Sequence, residues 1–144
     1  MNIYDSTSIK SVKKTMTIEL VILNYNGIVH LTHLLPTALT EVSCVPNATV
    51  TVLDNRSTKN DEHWVTTNYP DVKFVHAPSN DYLFSYNWYA EESRADILIF
   101  LNNDLKLKPN FIRPLVSHFE DSEVFSVSAT SRDWNDTEYT FGLM

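Results

Sequence analysis

Three short runs of asparagine and aspartate stand where apolar stretches end: Asn24-Tyr25-Asn26, Asp54-Asn55 and Asn102-Asn103-Asp104. Carboxylate and amide oxygens are hard donors of the kind that hold Mg²⁺ or a similar divalent cation. A carboxylate also accepts from a base N–H, and a tyrosine ring offers a stacking face. The last run is the most pointed, because Ile97-Leu98-Ile99-Phe100-Leu101 leads directly into it. Taken singly, each run is better read as a turn, since Asn and Asp are ordinary turn residues. Three of them at the same end of successive strands are harder to dismiss. If those strands are neighbours, the runs share one rim of a sheet, where ligands of open α/β sheets sit. An aromatic ring, a carboxylate and a cation-binding carboxylate on one rim would suit a nucleotide, with the cation neutralising a diphosphate. The residues alone leave the ligand open.

The elements that must position these runs follow from pattern. Strands are expected over residues 17–23, 48–53, 72–76, 97–101 and 124–129, all rich in branched apolar residues. The run at 97–101 reads as buried on both faces, in the middle of a sheet. A helix is expected from about Ile28 to Ser43, with Leu31, Leu34, Leu35, Ala38, Leu39 and Val42 on one face. It follows the turn signal Asn26-Gly27, and Pro36 inside it predicts a kink or a late start. Further helices are expected over 57–68, 81–94 and 109–121, with Pro114 disturbing the last. The alternating order argues for an α/β fold: a Rossmann-like, mostly parallel sheet with helices on both faces. Residues 1–16 read as a flexible lead-in and residues 17–144 as one domain.

A net charge of −7 argues against nucleic acid or an anionic membrane as the main partner. No stretch is long enough to span a bilayer, and the expected location is the cytoplasm, at most at the membrane periphery. The single cysteine, Cys44, excludes an internal disulfide and is expected to be a small buried side chain. No G-x-G-x-x-G and no P-loop sequence is present. His30 and His33 lie three apart without a third ligand to join them. Phe84, Tyr86, Trp88 and Tyr89 are expected to pack on the sheet, as are Trp134, Tyr139 and Phe141 on its edge or on a partner.

Residues 22–27, 52–58 and 99–104, with Tyr69-Pro70-Asp71-Val72-Lys73-Phe74 between them, resemble the successive motifs of family 2 glycosyltransferases, most of all its rhamnosyltransferase-like members. The resemblance runs from about Thr17 to Ala129. It implies the nucleotide-binding half of a GT-A fold, a nucleotide-diphosphate-sugar donor, a saccharide or other hydroxyl acceptor, and an inverting hexosyl transfer. It places Tyr25 against the base, Asp54 as an acceptor to base or ribose, Asn102 near the ribose or sugar, and Asp104 on Mn²⁺ or Mg²⁺. Asn24, Asn80 and Asn103 join them as nucleotide-sugar-binding residues. Asn87 matches a further asparagine of the family. Two departures stand out. Asp81-Tyr82-Leu83-Phe84-Ser85-Tyr86-Asn87 replaces a segment that is glycine-rich in the family. The acceptor half that carries the catalytic base is not recognisable: Asp133, Asp136 and Glu138 sit in no motif for that role. An oligomer or a C-terminal partner domain would complete such a site. The alternative expectation is a non-catalytic nucleotide-sugar-binding module.

Overall fold

The computed structural model describes residues 15–136 and 139–140, the last two in backbone only. The lead-in before residue 15 and Glu138, Phe141 and the final residues lie outside this description.

Elements follow in the order β1 (Ile18–Asn24), α1 (Ile28–Ser43), β2 (Ala48–Asp54), α2 (Asp61–Asn68) and β3 (Lys73–His76). A 3-10 turn over Tyr82–Phe84 then leads into α3 (Ser85–Glu92), β4 (Ile97–Asn102) and α4 (Ile112–Ser117). A short hairpin of β5 (Ser131–Arg132) and β6 (Tyr139–Thr140) closes the described chain. β1 to β4 form one parallel sheet in the order β3-β2-β1-β4. The strands carrying the three polar runs are therefore adjacent, and Asn24 pairs in register with Asp54.

Alternation along the strands assigns the two faces. Ile18, Leu20 and Ile22 of β1 join Val50 and Val52 of β2 under Leu31, Leu34, Leu35 and Ala38 of α1, with Val65 of α2 and Ile112 of α4. On the opposite face Val21 and Leu53 meet Ala77 and Tyr89 of α3. The sheet is thus covered on both faces, as the alternating order requires. Burying each of the three α1 leucines stabilises the fold by roughly 1.5–3 kcal/mol relative to exposure. That is enough to hold Pro36 inside α1, which runs from Ile28 to Ser43 without a late start.

One polar cluster lies inside the second face. Glu19 Oε1 accepts from Thr51 Oγ1 at 2.5 Å and from Tyr89 Oη at 2.6 Å, and Oε2 accepts from Ser93 Oγ at 2.6 Å. Burial pushes the Glu19 carboxyl up, but these donors and Lys73 outweigh it and hold it below its ordinary value.

Four expectations are corrected. The fifth strand, 124–129, is unpaired among the described residues, and Phe125 is 96% exposed. Strand propensity is realised only against a partner ladder, and these residues pair with none of the described strands. As a consequence β4 is an edge strand, not a central one, and Phe100 keeps 43% of its surface exposed. Cys44 is exposed, because it caps the C-terminus of α1 beyond the buried stripe. The helices at 57–68, 81–94 and 109–121 are shorter than their patterns: α2 begins at Asp61, α3 is preceded by the 3-10 turn, and α4 gives way to 3-10 geometry at His118. Of the aromatic residues, Tyr89 is buried and Tyr86 donates its Oη to Leu101 O at 2.7 Å, whereas Phe84 is exposed.

Candidate functional site

The rim of the sheet divides into two parts. The first is a buried polar knot under β1 and β2. Asn24, 1% exposed, donates from Nδ2 to Asp61 Oδ2 at 2.9 Å and to Asp54 Oδ1 at 3.2 Å. Asp54, also 1% exposed, accepts from Ser57 N at 2.9 Å and from Ser57 Oγ at 2.5 Å. His76 Nδ1 lies 3.2 Å from Asp54 Oδ2, and its Nε2 lies 3.0 Å from Glu62 Oε2. Asp61 Oδ2 also accepts from Gly27 N at 2.8 Å. Ser57 Oγ accepts from Asn26 N at 2.8 Å, and Asn26 Oδ1 accepts from Thr58 N and Lys59 N at 2.9 and 3.0 Å. The knot fastens the loop after β1 to the loop after β2.

The second part is an open cleft of about 460 Å³ lined by Leu23, Asn24, Tyr25, Asn55, Asn80, Tyr82, Leu83, Asn102, Asn103 and Asp104. Six of the seven residues singled out from the sequence as ligand-binding meet there: Asn24, Tyr25, Asn80, Asn102, Asn103 and Asp104. Asp54 does not. It continues the parity of Val50 and Val52, so its carboxylate turns in among the knot's donors. Asn87 is exposed on α3 and lines no part of the cleft.

The two parts touch at one place. Asn103 Nδ2 donates to Asn24 Oδ1 at 3.1 Å, directly over Gly27. A Cβ on Gly27 would fall 2.1 Å from Asn103 Nδ2 and 2.4 Å from Asn24 Oδ1. Only glycine permits that approach.

Asn55 belongs to the second polar run, but the sequence reading gave the ligand role there to Asp54 alone. It is 3% exposed, and its Nδ2 donates to Tyr82 O at 2.9 Å. A carbonyl partner requires the nitrogen on that side, which fixes the orientation of the amide. Its Oδ1 is buried without a hydrogen-bond partner among the described residues, and Asn55 is one of the residues lining the cleft. A buried acceptor left unpaired costs about 1–3 kcal/mol, a cost that a donor from a ligand or from water would relieve. Strand alternation was the available signal, because Asn55 shares the parity of Leu53 and faces away from the knot. The Tyr82 backbone that engages it is in the left-handed region, at φ 51°. Tyr82, Leu83 and Phe84 stand exposed beside the cleft in the segment where the family has glycines.

Asp104 is exposed, and among the described residues no hydrogen bond or ion pair engages its carboxylate. No group of three or more His, Cys, Asp or Glu side chains arranged for a metal occurs among the described residues. One carboxylate with neighbouring amides does not make an all-protein cage. It does fit a cation shared with ligand phosphates, the usual way Mg²⁺ is held. Of the tail carboxylates, Asp136 is engaged by Lys108 and Arg132, and the Lys108 ammonium holds its carboxyl below the ordinary value. That is the wrong direction for a general base. Among the described residues no helix is long and apolar enough to cross a membrane.

Known structures share this architecture. A structure of Staphylococcus aureus TarS residues 1–349 in complex with UDP-GlcNAc aligns over 73% of this chain and 31% of its own, with 17% identity and a TM-score of 0.57. A structure of GalNAc-T7 with UDP, GalNAc and Mn²⁺ aligns over 74% of this chain and 21% of its own, with 19% identity and a TM-score of 0.61. The chain thus spans about a third or less of the structures it resembles. At these identities the likeness establishes the fold. No curated protein sequence matches the chain. The family model described as "Glycosyl transferase family 2" matches residues 19–144, and the chain therefore belongs to glycosyl transferase family 2.

Proposed function

We propose that this chain forms the donor-binding half of a glycosyltransferase. It holds a nucleotide-diphosphate sugar in the cleft while an acceptor hydroxyl displaces the nucleotide diphosphate, with inversion and with transfer of a hexosyl group. The observation that carries this reading is the convergence of Tyr25, Asn80, Asn102, Asn103 and Asp104 on one cleft, together with Asn55, whose buried Oδ1 has no hydrogen-bond partner among the described residues.

The residues divide the ligand among them. Tyr25 presents a half-open ring on which a base can stack. Asn55 Oδ1 accepts from a base N–H, the role the sequence reading gave to Asp54. Asn80, Asn102 and Asn103 offer amides to ribose and sugar hydroxyls. Asp104 would hold Mn²⁺ or Mg²⁺ against the diphosphate, consistent with the Mn²⁺ and UDP named for the GalNAc-T7 structure. Such a cation supplies Lewis-acid stabilisation of the departing diphosphate. The base that deprotonates the acceptor hydroxyl would be supplied by an oligomeric partner or a further domain.

Asn55 makes the reading specific. An acceptor oxygen at the base edge favours uracil, thymine or guanine, which carry a ring N–H there, over cytosine, whose ring N3 is itself an acceptor. The test is calorimetric titration of UDP and CDP into wild type and Asn55→Leu in the presence of Mn²⁺. The expected outcome is tighter UDP than CDP binding in wild type, by about tenfold or more, and loss of that preference in Asn55→Leu. Equal binding of the two nucleotides by wild type would overturn it.

A further inference from the structure

A second groove, of about 470 Å³, shares no lining residue with the cleft. Val29, His30 and His33 of α1 form one wall, Lys106 a second and Trp134 the third. The sequence explains why these residues meet. His30 and His33 are three apart and so share one side of α1. Lys106 follows Asp104 by two residues. Trp134 stands in the turn between β5 and β6, where Asp136 N donates to Asp133 O at 3.0 Å and Asp136 adopts φ 61°. The Lys108–Asp136 ion pair ties this hairpin to the segment after β4. Trp134 reaches the edge of the His33 ring, with ring centroids 6.0 Å apart at 68°. It nevertheless remains 65% exposed.

The composition of this groove is unlike that of the chain. The protein carries a net charge of −7, yet none of the described residues lining the groove is acidic. Lys106 has no ion pair among the described residues, and neither imidazole ring hydrogen-bonds to a described residue. An exposed indole face suits the C–H face of a pyranose. An ammonium beside two imidazoles suits an anionic substituent and the ring hydroxyls. A metal is the weaker occupant, since no third ligand accompanies the two histidines.

We propose that this groove binds an anionic saccharide, a sugar ring carrying a phosphate or a carboxylate, stacked on Trp134 with its charge on Lys106. Resting on the donor reading above, the groove is the acceptor side of the same site. Its walls begin two residues after Gly27 on one loop and two residues after Asp104 on the other.

The test is an NMR titration of the ¹⁵N-labelled chain, following the Trp134 indole N–H, assigned by its absence in Trp134→Phe. The probes are glucose 6-phosphate, glucuronate, glucose and inorganic phosphate. Saturable shifts are expected with the first two, at least about tenfold weaker binding of glucose and of inorganic phosphate, and a similar loss for glucose 6-phosphate in Lys106→Ala. Saturation by only one of the two anionic sugars would identify the charged group and support the proposal. An unmoved indole resonance would overturn it, as would inorganic phosphate binding as tightly as the sugar phosphate, or an unchanged affinity in Lys106→Ala. Asp104→Ala and Asn55→Leu leave this titration unchanged, so failure of the donor reading and failure of the groove are separate results.

Discussion

The two halves of the rim are built from the same residue types and behave in opposite ways. Asn24, Asp54 and Asp61 are buried, and each engages two or more partners. Asn102 and Asp104 stand in the open, and among the described residues neither side chain has a hydrogen-bond or ion-pair partner. Buried polar groups hold structure when satisfied and cost free energy when not. Exposed ones contribute little to folding and are available to a ligand. The first half is therefore the frame and the second half the working surface, although nothing in their composition separates them.

The comparison can be broken from the frame side first. Asp54→Ala leaves Asn24, Ser57 and His76 with unmet hydrogen-bonding groups, and the expected loss of stability is about 3 kcal/mol or more, read by urea denaturation. Asp104→Ala, at the working surface, should shift the same midpoint by no more than about 0.5 kcal/mol. Equal losses in the two variants would erase the distinction. Glu19→Ala tests whether the rim knot is special. Thr51, Tyr89 and Ser93 would lose their shared acceptor, and a loss of about 2–4 kcal/mol is expected with no effect on ligand binding.

Gly27→Ala sharpens the comparison at the point where the halves meet. The added Cβ would press on Asn103 Nδ2 and Asn24 Oδ1. A cost of about 1–3 kcal/mol is expected, and because Asn103 must move, nucleotide affinity should fall as well. A stability loss with unchanged affinity would show that the contact serves the frame alone.

The smallest effect is a pH dependence. The hydrogen bond to Glu62, followed by that to Asp54, raises the His76 pKa above its ordinary 6.5. A raised folded-state pKa stabilises the fold fully below the unfolded value and loses that contribution as pH climbs through the folded one. The ring is partly exposed, so screening keeps the effect small. The stability gap between wild type and His76→Gln should be wider at about pH 5.5 than at about pH 8.5. A gap independent of pH would remove His76 from the frame.

Much of this was legible in the sequence. Branched apolar runs located the four parallel strands, and the Asn and Asp residues ending three of them share one rim because those strands are neighbours. Periodicity located α1 to within its observed bounds despite Pro36. What stayed hidden depended on partners far away in the chain. Residues 124–129 have strand composition but pair with no described strand, and that leaves β4 at an edge of the sheet. Asp54 and Asn55 are adjacent residues of like chemistry. Only the parity set by Val52 and Leu53 sends one into the knot and the other to the cleft. The groove at Trp134 joins residues about a hundred positions apart in sequence, brought together by the Lys108–Asp136 pair, which no local pattern announces.

The central claim is that the cleft takes a nucleotide diphosphate through a cation on Asp104. The measurement that addresses it most directly is calorimetric titration of UDP into wild type and Asp104→Ala, each with and without Mn²⁺. The account predicts binding by wild type that requires Mn²⁺ and disappears in Asp104→Ala, while the variant unfolds at the wild-type urea concentration. Metal-independent binding, or undiminished binding by a folded Asp104→Ala, would contradict it.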